Sequence, residues 1–172
     1  MTWVAFALLA FFCGSLPFSV WLGKIFLRED VRRFGDGNPG SANVFRAGGK
    51  IVGVIALLLD VAKAAAPVGL AYYNQGIRGL PMVVIAIAPV LGHAFSPFLG
   101  FHGGKALAAA LGVWIGLTIW KASLAVVVGT VVGIIFLNSS GWAVMLGMAG
   151  LLAALLLWLP EPLPLPYPPP PS

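Results

Sequence analysis

The sequence predicts an all-α, polytopic membrane protein: a bundle of about six to seven transmembrane helices joined by polar, glycine-rich cytoplasmic loops. Three observations carry this. Of the 172 residues, 60% are hydrophobic and 9% charged, and mean hydropathy is +0.99, whereas an ordinary soluble domain is about a quarter charged. The apolar residues come in runs of roughly 20, the length that crosses a ~30 Å hydrocarbon layer as a helix. The alternating segments of about ten residues that a membrane barrel requires are absent, and a backbone in lipid must satisfy its own polar groups, which leaves helices.

The predicted spans are 3–26, 51–74, 80–100, 106–120, 122–137 and 141–159. The first, from Trp3 to Phe26, lacks the basic leader of a cleaved signal and is too long for one, so it is read as a retained span with its amino terminus outside. Arg28, Arg32, Arg33, Arg46 and Lys50 crowd the loop that follows, which places that loop in the cytoplasm by the positive-inside rule. The second span carries Asp60 and Lys63 three residues apart, hence on one helical face. Charges within a span are expensive, so they are expected to pair or to line a polar cavity. The third span contains Pro81, Pro89 and Pro97, and Pro17 and Pro67 lie in the first two; each is expected to kink or begin a helix.

The fourth and fifth runs have only about fifteen residues each, too few for an untilted crossing. They read as short tilted helices around a snorkelling Lys121, or as one kinked element. Runs of small residues, Ala64 to Ala66 and Ala108 to Ala110, allow close helix approach. Residues 1–159 thus form one membrane-embedded domain. The tail 160–172, PEPLPLPYPPPPS, lacks the backbone donors a helix needs and favours an extended polyproline conformation.

Ten Lys and Arg against five Asp and Glu give a net charge of +5, but their distribution follows membrane topology rather than a nucleic-acid surface. A single cysteine, Cys13, excludes an intramolecular disulfide and a Cys-rich metal site, and no His or carboxylate stands at metal-ligand spacing. Chemistry is therefore sought in two polar loops. If the first three spans alternate, both loops lie on the cytoplasmic side.

The first loop, GDGNPGSANVFRAGGK at 35–50, has glycines that permit tight turns, asparagines that bond them, and Arg46, whose planar guanidinium suits phosphate. Its successive N–H groups can form a nest around an anion. A capped loop whose arginine meets lipid headgroups fits the same residues. The second, GHAFSPFLGFHGGKALA at 92–108, sets His93, Ser96, His102 and Lys105 around paired glycines before a helix, a credible phosphate site but not a nucleotide-binding P-loop. His93 reads as a general base or as a hydrogen-bond partner between helices. Asp30 and Glu29 read as solvated partners of the neighbouring arginines.

Four passages, GSLPFSVWLGK at 14–24, GDGNPGSANVFRAGGK at 35–50, LDVAK at 59–63 and GHAFSPFLGFHGGKALAAALG at 92–112, together resemble the PlsY-type acyl-phosphate:glycerol-3-phosphate acyltransferases of bacterial membranes. The resemblance implies a helical bundle in the inner (plasma) membrane that moves an acyl group from acyl phosphate to the sn-1 hydroxyl of glycerol 3-phosphate, yielding lysophosphatidic acid. Its partners would be those two substrates and membrane lipids, with no cofactor, metal or nucleic acid; oligomeric state is left open. The implied catalytic residues are His93, Asp36 and Asn43, and the implied substrate-binding residues are Asn38, Gly40, Ser41, Arg46, Ser96, Gly103, Gly104 and Lys105.

Asp36 stands where the family usually has serine, and Ser41-Ala42 where it has Ala-Thr. A carboxylate there repels a phosphate, acts as a base, bonds another acceptor, or pairs with Arg46 or Lys105 and closes the site. FLNSSGW at 136–142, with Asn138, Ser139 and Ser140, occupies the place of the family's third motif, and the proline tail stands where a late basic segment is expected. A divergent paralogue, a non-catalytic binder of an anionic lipid or metabolite, and a small transporter are the competing readings.

Overall fold

The structure, a computed structural model, describes residues 2–119, 121–137 and 145–153. Among these there is no strand. The chain divides into two compact units, Met1–Leu117 and Thr118–Ser172.

In the first unit α1 (Trp3–Ser15) ends just before Pro17, which has no N–H to continue the ladder, and the chain resumes as α2 (Phe18–Leu22) and a π-helical turn, Gly23–Leu27. A six-residue helix, α3 (Ser41–Arg46), lies in the first loop. Helix α4 (Lys50–Gly69) carries Pro67 near its end and runs into a π-helical turn, Leu70–Asn74; α5 (Gly79–Ala94) carries Pro89, and a 3₁₀ turn follows at Pro97–Leu99. Helix α6 (Leu107–Thr118) closes the unit. The stretches Trp3–Leu27, Lys50–Asn74 and Gly79–Leu99 are long and apolar enough to cross a membrane, matching the first three predicted spans.

The next two predicted runs are two short helices, the first of the two alternatives read from the sequence. Helix α6 has 12 residues and α7 (Lys121–Leu137) has 17, about 18 and 25 Å at ~1.5 Å per residue, both short of a ~30 Å core. They are separate helices, not one kinked element. The helix stops at Thr118, and Ile119 follows with φ of +62°, a left-handed backbone that no α-helix continues through. Of the predicted span 141–159 the structure describes 145–153, which is helical. The proline tail and the residues Asn138, Ser139 and Ser140 lie outside the described residues. In the second unit a Cβ on Gly129 would stand 2.8 Å from the Leu146 carbonyl oxygen and one on Gly150 3.0 Å from that of Ala125, so α7 meets the 145–153 helix backbone to backbone.

Packing in the first unit inverts the soluble pattern. Its buried core is built largely from small side chains, including Ala10, Ala64, Ala71, Ala88 and Ala109 around Phe6, Met82 and Ile85, while Ile51, Leu58 and Leu80 are 78%, 62% and 75% exposed. Lipid tails are as apolar as leucine, so large side chains have no reason to turn inward, and small ones let helices touch. At the α1–α5 crossing a Cβ on Gly92 would overlap the Phe11 carbonyl oxygen, and one on Gly14 would overlap Pro89. Gly92→Ala is expected to destabilise by about 1–3 kcal/mol because backbone must move to admit the methyl group. The check is a lower thermal unfolding midpoint in detergent; an unchanged midpoint would show that the crossing yields freely.

Candidate active site

The first loop is folded by its own short-range bonds. Arg28 turns the chain out of the π-helical turn with φ of +57°. Asp30 then accepts from the Arg32 N–H at 3.1 Å and pairs with the Arg32 guanidinium at 2.7 Å, as the sequence suggested. The Arg32 hydrogen bond holds the Asp30 carboxyl down to about 2. Val31, fully buried, pins the turn beneath the loop against a small core with Val20, Val44 and Ala56. Gly35, at φ of +57°, has no room for a side chain: a Cβ would lie 2.5 Å from Asn43 Oδ1 and 2.6 Å from Arg46 Nη1. That bare position lets Asn43 and Arg46, one turn apart on α3, fold back over the loop.

The second loop is tied to the end of α5, where the Gly103 N–H donates to Ala94 O at 3.0 Å and the Gly104 N–H to His93 O at 3.1 Å. Lys105 is thereby carried to the first loop. Its N–H donates to Asn38 Oδ1 at 3.1 Å and its ammonium meets Asp36 Oδ2 at 2.7 Å. Asp36 is the hub. Its Oδ1 accepts from Asn43 Nδ2 at 3.1 Å and from the Asn38 N–H at 3.3 Å, with Arg46 Nη1 at 3.8 Å. Arg46 also donates to Asn43 Oδ1 at 2.7 Å, and Asn43 Nδ2 to Asn38 O at 2.9 Å.

The Lys105 hydrogen bond, then the Asn38 N–H, push the Asp36 carboxyl well below the usual carboxylate range. Two cations and two asparagines from separate loops thus surround one carboxylate, in a cradle open to solvent: the Lys105 and Arg46 side chains are 67% and 55% exposed.

Beneath the cradle lies a buried polar layer. Lys63 donates to Asp60 Oδ1 and to Leu16 O, each at 2.7 Å, and Ser19 donates to Asp60 Oδ2 at 2.7 Å. Ser96 donates to Ser15 O at 2.6 Å. His93 sits between the two layers. Its Nε2 would lie 2.5 Å from a Cβ on Gly104, so only glycine lets the cradle loop pass over the ring.

A sequence profile of the family described as "Glycerol-3-phosphate acyltransferase" matches residues 4–167. The chain belongs to the glycerol-3-phosphate acyltransferase family. It is 42% identical over 110 residues to the glycerol-3-phosphate acyltransferase of Enterococcus faecalis, covering 64% of this chain and 50% of that one. To that of Leptospira borgpetersenii it is 46% identical, over 69% of this chain and 55% of the relative; to that of Laribacter hongkongensis, 36%, over 94% and 81%. The chain therefore spans only about half the length of the first two relatives. The crystal structure of PlsY, an integral membrane glycerol 3-phosphate acyltransferase, in its glycerol 3-phosphate form superposes with a TM-score of 0.80 at 30% identity, over 91% of this chain and 78% of that one. Its lysophosphatidic acid form gives 0.66 at 27%, over 89% and 87%.

In this member of the glycerol-3-phosphate acyltransferase family, the structure brings Asp36, Asn38, Asn43, Arg46 and Lys105 together as one network. Four of the loop N–H groups are already committed: Gly37 donates to Phe34 O, Asn38 to Asp36, and Gly103 and Gly104 to α5 carbonyls. The glycine pair contributes closeness, and the network around Asp36 is built mainly from side chains. Gly40 and Ser41 cap and open α3, where they position Asn43 and Arg46. Ser96 is fully buried with its hydroxyl committed to Ser15 O, so it ties α5 to α1 rather than reaching the cradle. Sequence reasoning missed Ser15, Leu16 and Ser19, whose backbone or hydroxyl oxygens complete the buried layer. The only signal was their place in the GSLPFS passage.

Proposed function

We propose that the protein transfers the acyl group of acyl phosphate to the sn-1 hydroxyl of glycerol 3-phosphate, at the cytoplasmic face of the inner membrane, giving lysophosphatidic acid and phosphate. The observation that carries this is the cradle: Arg46 and Lys105 converge from two loops on a single anionic group, in geometry suited to a phosphate. Family membership and the fold shared with PlsY support the reaction class. Arg46, Lys105, Asn38 and Asn43 hold the acceptor's phosphate and the phosphoryl leaving group. The acceptor oxygen bonds the acyl carbon, the bond from that carbon to the phosphate oxygen breaks, and the hydroxyl proton ends on phosphate or in solvent. No covalent enzyme intermediate is required, only positioning and charge stabilisation.

Asp36 is the obstacle in this scheme, because it already occupies the cations that a phosphate needs. It has to give way as the phosphate enters. Asp36→Ser is expected to lower the KM for glycerol 3-phosphate about tenfold, by removing a like charge from the cradle. The test incubates lipid-embedded protein with acyl phosphate and labelled glycerol 3-phosphate and follows lysophosphatidic acid. Folded, monodisperse protein that forms none, as wild type and as Asp36→Ser, would overturn the reading in favour of a binder without turnover.

A further inference from the structure

His93 is 8% exposed, and its Nδ1 has no hydrogen-bond partner among the described residues. A buried imidazole nitrogen left unpaired is costly, and interiors meet such atoms with ordered water when space and partners allow. A cavity of about 10 Å³, which is room for about one water, lies beside the His93 ring, bounded by Ser15 and Leu16 at the end of α1, by Lys63 and Ser96, and by Pro39 and Gly104 of the two cradle loops. Two of the three Lys63 N–H groups are taken by Asp60 and Leu16 O, leaving one donor. The Ser15 and Ser96 hydroxyl protons are directed to Phe12 O and Ser15 O.

We propose that this cavity binds one water molecule that accepts from Lys63 and donates to His93 Nδ1, so that the ring holds its own proton on Nε2, at the Gly104 face beneath the cradle. Lys63 and Asp60 are then positioning residues that set the histidine tautomer through the water. The histidine becomes a hydrogen-bond donor towards the cradle instead of the base that its sequence position suggests. In the acyl-transfer reading, on which this role rests, an N–H there stabilises negative charge that develops on the acyl or phosphate oxygens. The tautomer itself does not depend on that reading.

The chain has two histidines, so the test is ¹⁵N nuclear magnetic resonance of full-length, histidine-labelled protein in lipid bicelles, with His102→Gln assigning the signals. The expected result is a neutral His93 protonated at Nε2, with a long-lived water in contact with its ring. A ring protonated at Nδ1, or one without a bound water, overturns the proposal. In Asp60→Asn/Lys63→Met, which removes both charges together, His93 should become a mixture of tautomers. Its kcat should fall about ten- to a hundredfold, with the KM for glycerol 3-phosphate held within about twofold. An unchanged tautomer in that variant would mean the pair is merely structural. Should the double variant not fold, the wild-type tautomer and water still decide. If the wild type forms no lysophosphatidic acid, the acyl-transfer reading falls while the tautomer measurement stands.

Discussion

Lys105→Ala and Arg46→Ala should each lower kcat/KM for glycerol 3-phosphate by about a hundredfold or more, the usual loss when one charge-stabilising donor is removed from a site of this kind. Each side chain is more than half exposed, and neither buries apolar surface of note, so the folded state should barely register the change. Loss of turnover with an unchanged unfolding midpoint separates a role in the cradle from a role in folding. Lys50→Ala, which removes an exposed cation of the same loop, is the control for general surface charge and should stay near wild type.

The two variants should differ in one respect. Without Lys105, Asp36 loses its 2.7 Å partner and faces Arg46 alone at 3.8 Å, so Asp36→Ser should recover part of the Lys105→Ala loss. Because the carboxyl is depressed, its ion pair is present above the ordinary carboxylate pKa and is lost only as pH falls through the lowered value. Asp36 should therefore impose no pH dependence across the neutral range. Variants within tenfold of wild type would remove the cradle from the mechanism.

Run length made the first three spans legible, since a bilayer imposes nearly the same count on any helix that crosses it. After Lys105 the runs 106–120 and 122–137 correspond to α6 and α7, but run length left open whether they are two short helices or one kinked element; the φ angle at Ile119 decides it, and composition does not record a φ angle. The meeting of the two glycine-rich loops followed from parity alone, and the pairing of Asp60 with Lys63 from helical spacing. The pairing of Asp36 with Lys105 was one of several open outcomes, and a sequence separation of 69 hid which of them holds. The bonds of Ser19 to Asp60 and of Ser96 to Ser15 were illegible for a related reason. They depend on which faces α1, α2 and α5 present to one another, and serine in an apolar run carries no periodicity of its own.

Asp60→Ala should destabilise the protein by about 3–5 kcal/mol, the usual result of removing one partner from a buried ion pair and leaving the other charge uncompensated. Both side chains are only 2% exposed. In the variant the Lys63 ammonium would keep Leu16 O and a Phe18 ring 5.9 Å away, neither of which neutralises it, while Ser19 would lose its acceptor. The double variant Asp60→Asn/Lys63→Met should recover most of the loss, since taking out both charges at matched volume is often nearly neutral. The measurement is the unfolding midpoint of wild type, single and double variants in one detergent. A single variant within about 1 kcal/mol of wild type would mean that water reaches Lys63 freely. That contrast bears on the site, because the pair fastens α4 to the Leu16 bend and to α2, and that bend forms one wall of the cavity beside His93. If only the single variant collapses, the charges are dispensable for folding, and a function in orienting His93 explains why two ions are held at this depth in an otherwise apolar helix.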